Sequence, residues 1–156
     1  MVRLAVNIVT FNSAWDITAC LQSLHQQTLK DLHIHILDNA STDETLQRIE
    51  PFDVEYLLRS PVNTGFCKAH NELVRRFPSE YVLFLNPDTI LRPMFTEELV
   101  RALDARPDAA SASGRTQAVA TAGNIGRKTI SGENMADASP PGDRSGGVSL
   151  ADRTIH

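Results

Sequence analysis

The sequence predicts an α/β fold with a mainly parallel sheet and helices on both faces, and three observations lead to it. Short apolar, β-branched runs alternate with amphipathic helical patterns through residues 4–103, the order of βαβ units joined by right-handed crossovers. Each apolar run is followed, at once or shortly after, by polar residues, which a parallel sheet gathers on one edge. The last run, Tyr81-Val82-Leu83-Phe84-Leu85, gives way to Asn86-Pro87-Asp88-Thr89, so a carboxylate stands where a buried strand runs out.

Residues 4–9 form a short apolar run, and Ile17, Cys20, Leu21 and Leu24 then recur at helical spacing before a second strand over residues 32–37. Ser41-Thr42-Asp43-Glu44 has the form of a helix start, a hydroxyl N-cap with acids in the first turn, and residues 54–58 make a third strand. Phe66, Ala69, Leu73, Val74 and Phe77 mark a further amphipathic helix. After the strand at Tyr81, Pro93 opens a helix that runs to Leu103.

Composition divides the chain near Gly114. All nine aromatic residues lie between Phe11 and Phe95, seven of the eight glycines lie at or after Gly114, and Leu150 alone among leucines follows Leu103. Residues 1–113 therefore read as one compact unit. Residues 114–156, rich in Gly, Ser and Pro, bury too little apolar surface to offset their ordering entropy and are expected to be largely disordered. The compact unit carries ten Lys and Arg against fifteen Asp and Glu, which leaves no basic face for a nucleic-acid backbone. Cys20 and Cys67 have neither metal-ligand spacing nor the density of a disulfide scaffold, so they read as reduced core thiols. With no leader-like segment and no run of about eighteen apolar residues, the expectation is a soluble cytoplasmic protein, at most peripheral to a membrane.

Four polar segments would meet on the carboxyl edge of the sheet: Thr10-Phe11-Asn12, Asp38-Asn39-Ala40-Ser41, Asn63-Thr64-Gly65-Phe66 and Asn86-Pro87-Asp88. If the first strand lies beside the fourth, Asn12 and Asp88 flank a switch-point crevice, with Asp38 one strand away. Pro87 lacks an N–H and ends the strand abruptly. Asp88 then has two readings: a ligand for Mg²⁺ or Mn²⁺ shared with substrate phosphates, or a helix cap or turn residue. The loop after the first strand has no glycine, and no G-x-x-x-x-G-K-S/T occurs anywhere, so dinucleotide-binding and Walker-type phosphate loops are both excluded. A phosphoacceptor signalling domain would need acids where the first strand ends in Thr10.

The segments Val6–Asn12, 37–43, 63–66 with Asn71, and 85–89 together resemble the family 2 glycosyltransferases, which have the GT-A fold, over roughly residues 3–110. The resemblance implies that Thr10, Phe11, Asn12, Asp38, Asn39, Ser41, Asn63, Gly65, Asn86 and Asp88 bind a nucleotide-diphosphate sugar, with Thr10, Asn12 and Asp38 on the base and ribose. It implies Mg²⁺ or Mn²⁺ on the D-x-D-type segment, here Asn86-Pro87-Asp88 with Asp88 as principal ligand, and transfer with inversion to a hydroxyl of a glycan or lipid-linked acceptor. The Asn-Pro-Asp form resembles the rhamnosyltransferase-like branch, which uses donors such as dTDP-rhamnose. The family's general base is an acid well after the metal segment. Here Glu133, Asp137, Asp143 and Asp152 follow no apolar strand, so the base is expected to be missing and residues 114–156 read as an atypical or truncated continuation. A nucleotide-binding module without catalysis, or an inactive fragment, stays open beside the enzyme.

Other residues have weaker claims. His33 and His35 share one strand face and form a conceivable metal pair, though packing under a helix explains them better. His25 and His70 read as surface or packing residues, Trp15 as a core or staple residue, Arg75-Arg76 as a solvated helix face. Lys68 is a phosphate candidate one turn into its helix.

Overall fold

The computed structural model describes residues 1–121, 124–131 and 138–139. Four strands, β1 (Val2–Thr10), β2 (Leu32–Asp38), β3 (Tyr56–Arg59) and β4 (Ser79–Leu85), form one sheet in the order β3-β2-β1-β4. All pairings are parallel, and Thr10, Asp38 and Arg59 stand in register at the carboxyl edge. The expected α/β fold is thus observed, with β1 between β2 and β4 and the chain reversing direction of travel at that point.

Helices α1 (Ile17–His25), α2 (Thr45–Ile49), α3 (Phe66–Arg76) and α4 (Phe95–Asp104) cover both faces. One face is built from Val6, Ile8, Ile34, Ile36, Leu83 and Leu85 against Ile17, Leu21, Phe95 and Leu99. The strand residues in that set are spaced by two, and the α1 residues by four, as pleat and helix require. The second, smaller face packs Val9 and Leu37 against Ala69 and Leu73 of α3. Burying each of the Val, Ile and Leu side chains among these contributes about 1.5–3 kcal/mol.

Three sequence expectations change in detail. Residues 41–44 are not yet helical, and α2 begins at Thr45 with no acid in its first turn. The N-cap position is Glu44, which makes no side-chain cap bond; Asp43 just before it accepts from the Thr45 amide at 3.0 Å, and the Ser41 hydroxyl donates to Asp38. A short strand, β5 (Thr89–Leu91), follows Asp88 directly. Three strands, β7 (Arg115–Thr121), β8 (Asn124–Ser131) and β9 (Ala138–Ser139), also lie within the segment expected to be largely disordered, and β6 (Ser111–Ala112) lies just before it. β7 and β8 pair antiparallel, and β8 runs parallel to β5. β-branched Thr116, Val119, Thr121, Thr129 and Ile130 suit extended backbone, a preference that counting core-forming residues overlooks. The remainder of the expected disorder, and Glu133, Asp137, Asp143 and Asp152, lie outside the described residues.

The α3 face contains an acid-sensitive element. His70, 4% exposed, packs edge-on against Phe66 and Phe84 at centroid distances of 4.3 and 5.1 Å. Neither ring nitrogen has a hydrogen-bond partner, and burial lowers its pKa to about 4. Because the folded pKa lies below the ordinary 6.5, the unfolded chain takes up this proton first. The stability tied to neutral His70 is whole above pH 6.5 and is lost as the pH falls toward 4, by about 3 kcal/mol. His70→Phe is expected to remove that share of the acid destabilisation, read as the change in urea midpoint between pH 7 and pH 4. An identical pH slope in wild type and variant would contradict it.

Candidate functional site

The first three polar loops are locked to one another. Thr10 and Asp38 are register partners at the ends of β1 and β2, and Thr10 Oγ1 donates to Asp38 Oδ1 at 2.9 Å. Ser41 donates to the same carboxylate twice, from its hydroxyl to Oδ1 at 2.6 Å and from its amide to Oδ2 at 3.0 Å. The Ser41 hydroxyl in turn accepts from the Asn12 amide at 2.9 Å, and Asn12 Oδ1 accepts from the Thr42 amide at 2.8 Å. These contacts hold Asn12 at φ 50° and Ala40 at φ 66°. Asparagine tolerates that left-handed region, whereas for alanine it stores about 1–3 kcal/mol of strain.

The third loop joins through Asn39, whose amide donates to Thr10 O at 2.8 Å. Its side chain donates to Asn63 Oδ1 and accepts from the Thr64 amide, both at 2.8 Å. Asn63 Oδ1 also accepts from the Gly65 amide at 2.9 Å. Gly65 sits at φ 83°, ψ 162°, a region essentially confined to glycine, and from it α3 departs. Beside this cluster Asp43 is held below the usual carboxylate range: against a desolvation penalty, hydrogen bonds from Thr45 and the Ala14 amide favour the ionised form.

Of the ten residues singled out in the sequence, Thr10, Asp38 and Asn39 are at most 2% exposed and spend their polar atoms on these internal bonds. Phe11, Asn12, Asn63 and Gly65 are exposed along the rim, and Ser41 is half-buried. The fourth loop stands across the β1/β4 boundary, where Leu85 pairs with Ile8. Asn86 O closes a turn with the Thr89 amide at 3.2 Å and faces the Cys20 thiol at 3.8 Å. Asp88 is half-buried, and its Oδ1 is buried without a hydrogen-bond partner. Burial, and secondly the charge of Asp88, push the Cys20 thiol up, which makes it an inert core thiol.

A hard cation prefers oxygen donors, and Mg²⁺ commonly uses one or two carboxylates together with phosphates. Among the described residues no three His, Cys, Asp or Glu side chains converge on one point. The unsatisfied carboxylate oxygen of Asp88 fits a cation whose other ligands come from a bound diphosphate.

The remaining candidates are placed elsewhere. His35 Nδ1 lies 3.2 Å from Asn7 Oδ1 and its ring packs on Phe77 at 4.3 Å, with burial lowering its pKa. His25 bridges two backbone carbonyls, those of Leu21 and Asp53. Arg75 and Arg76 pair with Glu72, and Lys68 is exposed in the first turn of α3. The core or staple role expected for Trp15 is not what the structure shows. It is 81% exposed and lines a cleft of about 570 Å³ with Thr42, Asp43 and Arg48.

An open parallel sheet with a switch point between β1 and β4, and four polar loops on its carboxyl edge, defines the class of α/β proteins that bind ligands at such an edge. The family model "Glycosyl transferase family 2" matches residues 5–153, and the chain belongs to that family. An uncharacterized glycosyltransferase of Haemophilus influenzae is 24% identical over 106 residues, which is 67% of this chain and 36% of the relative's length. The chain therefore spans about a third of that relative. Staphylococcus aureus TarS, residues 1–349, solved with UDP-GlcNAc, superposes with a TM-score of 0.66 at 22% identity over 80% of this chain and 37% of that one. A mannosyltransferase of Pyrobaculum calidifontis, solved with GDP-mannose and Mn²⁺, gives 0.63 at 22% over 74% and 36%. These structures share the GT-A fold. The family match extends past residue 113 into the segment that composition alone sets apart.

Proposed function

We propose that this chain is the donor-binding part of a metal-assisted glycosyltransferase that takes a nucleotide-diphosphate sugar and transfers the sugar, with inversion, to a hydroxyl of a glycan or lipid-linked acceptor. The observation that carries the reading is Asp88, a carboxylate with an unsatisfied oxygen at the switch point of a family 2 sheet. Phe11, Asn12, Ser41, Asn63 and Gly65 line the nucleoside side, and Thr10, Asp38 and Asn39 form its floor. Asn86 and Asp88 take the diphosphate side, where they would hold Mg²⁺ or Mn²⁺. When bound, the cation neutralises charge on the departing diphosphate. The chain's own part is to fix the nucleoside on one side of the crevice so that the diphosphate reaches the other.

The Asn86-Pro87-Asp88 form favours a deoxysugar donor such as dTDP-rhamnose, as in the rhamnosyltransferase-like branch, while the UDP-GlcNAc complex of TarS favours a UDP-sugar. Among the described residues no helix is long and apolar enough to cross a membrane. With two free thiols, we place the protein in the cytoplasm, with acceptors met there or at the membrane face. A second reading, a nucleotide-binding module without transfer, is favoured by the four acids after residue 131, none of which follows an apolar run in the sequence.

Calorimetric titration with UDP and dTDP, with Mn²⁺ and then with a chelator, tests the proposal. Binding is expected with the cation only, and no binding to either nucleotide under any condition would defeat it. Sugar transfer by this chain is expected near background, because loss of a general base costs about 10²–10⁴-fold. Robust transfer that disappears on substituting Glu133, Asp137, Asp143 or Asp152 would instead show that residues 114–156 supply the base.

A further inference from the structure

The loop bearing Asp88 and the segment after it bond to α1 and the residues just past it, whereas the other three loops bind one another. Cys20 and Ser23 lie at i and i+3 on the buried face of α1, where an apolar stripe is the rule, and Gln27 is buried just past the helix C-cap, Gln26. Each meets the segment that follows β4. Cys20 Sγ faces Asn86 O, and Ser23 Oγ accepts from the Leu91 amide at 3.0 Å. Gln27, 2% exposed, is satisfied at four positions. Its Nε2 donates to Ser23 O at 3.0 Å and Arg92 O at 2.8 Å, and its Oε1 accepts from the amide and the hydroxyl of Thr96, both at 3.0 Å. The backbone partners, two carbonyls and one N–H, fix which end of the amide is which. Just beyond, the Thr28 amide donates to Pro93 O at 2.8 Å.

Ser23, Gln27 and Thr96 are polar side chains in a core, which cost stability unless all are satisfied, and satisfied they specify one arrangement. The segment they specify runs from Asn86 to Thr96, on either side of Asp88. We infer that Ser23 of α1 and Gln27 just past its end are positioning residues for Asp88: they fix the loop that presents its carboxylate to the cation and diphosphate, and leave the nucleoside edge to the Thr10–Asp38–Asn39 cluster. The inference rests on the reading of Asp88 as the cation ligand. Cation sites depend on such supporting bonds, whose loss costs about 10–100-fold in metal affinity.

Gln27→Leu and the milder Ser23→Ala are tested in the full chain by two measurements. In the first, Mn²⁺-dependent binding of UDP or dTDP is expected to weaken about tenfold or more, while uridine or thymidine alone binds as in wild type. Retained nucleoside binding shows that the fold is intact. In the second, amide hydrogen exchange without ligand is expected to speed up at Thr89, Leu91 and Thr96, with β1 and β2 unchanged. Equal loss of nucleoside and nucleotide binding would mean that these residues only stabilise the fold, and would overturn the inference, as would unchanged Mn²⁺-dependent binding. If wild type binds no nucleotide, the donor reading falls and exchange alone decides the inference: unchanged protection over residues 86–96 in Gln27→Leu overturns it.

Discussion

Asp88→Ala is expected to abolish cation-dependent binding of a nucleoside diphosphate and to leave the free nucleoside bound. The carboxylate stands at the end of β4, across the sheet boundary from the locked loops, so its removal reaches only the diphosphate side of the crevice. A nucleotide at a hundred times its dissociation constant stabilises the folded state by about 2.7 kcal/mol, which for a chain of this size raises the thermal midpoint by about 5–10 °C. Wild type should show that rise with Mn²⁺ and not with a chelator, and Asp88→Ala should show it under neither condition. Without ligand the variant is expected to be no less stable than wild type, because a buried oxygen lacking a partner costs about 1–3 kcal/mol. An equal ligand-induced rise in both proteins would remove the cation from Asp88.

The strand order and the edge on which ligands gather were legible because apolar runs and polar ends are local signals. Tyr81 to Leu85 followed by Asn86-Pro87 can be read without knowing any neighbour. The division of labour within the site was not legible. That Asp38 is braced by Thr10 and Ser41 depends on β1 and β2 being register partners, a relation between residues 28 positions apart. The Gln27 contacts span 65 and 69 positions. A signal existed for Ser23, which interrupts the apolar face of α1 where a polar residue needs a partner, but Gln27 lies past the helix end and gave none. Trp15 failed for the opposite reason: its size suggested burial, but it precedes the first turn of α1, outside the stripe that faces the sheet. The strands after residue 113 were missed because their evidence lies in β-branched residues and cross-strand pairing, and not in core-forming content.

Asp38→Ala is expected to weaken nucleoside and nucleotide binding alike and, unlike the change at Asp88, to destabilise the empty protein. Its carboxylate accepts from the Thr10 hydroxyl and from both the hydroxyl and the amide of Ser41. Hydrogen bonds to a charged group contribute about 1.5–3 kcal/mol each, and truncation also strands donors in the interior. A loss on the order of 3–5 kcal/mol follows, large against the 5–15 kcal/mol that holds a typical domain. Release of Ser41 frees Asn12 and lets Ala40 leave its strained φ of 66°, so the nucleoside rim loses its shape even where the chain stays folded. Asp38→Asn separates the parts. Its Oδ1 can still accept from Thr10 and Ser41 hydroxyls, but its NH₂ meets the Ser41 amide donor to donor, so a smaller stability loss and a persisting binding defect are expected. Titration with uridine or thymidine and the matching diphosphates, beside urea denaturation of each variant, measures both. If Asp38→Ala binds nucleosides as wild type does, or shares the profile of Asp88→Ala, the nucleoside edge does not lie at the end of β2.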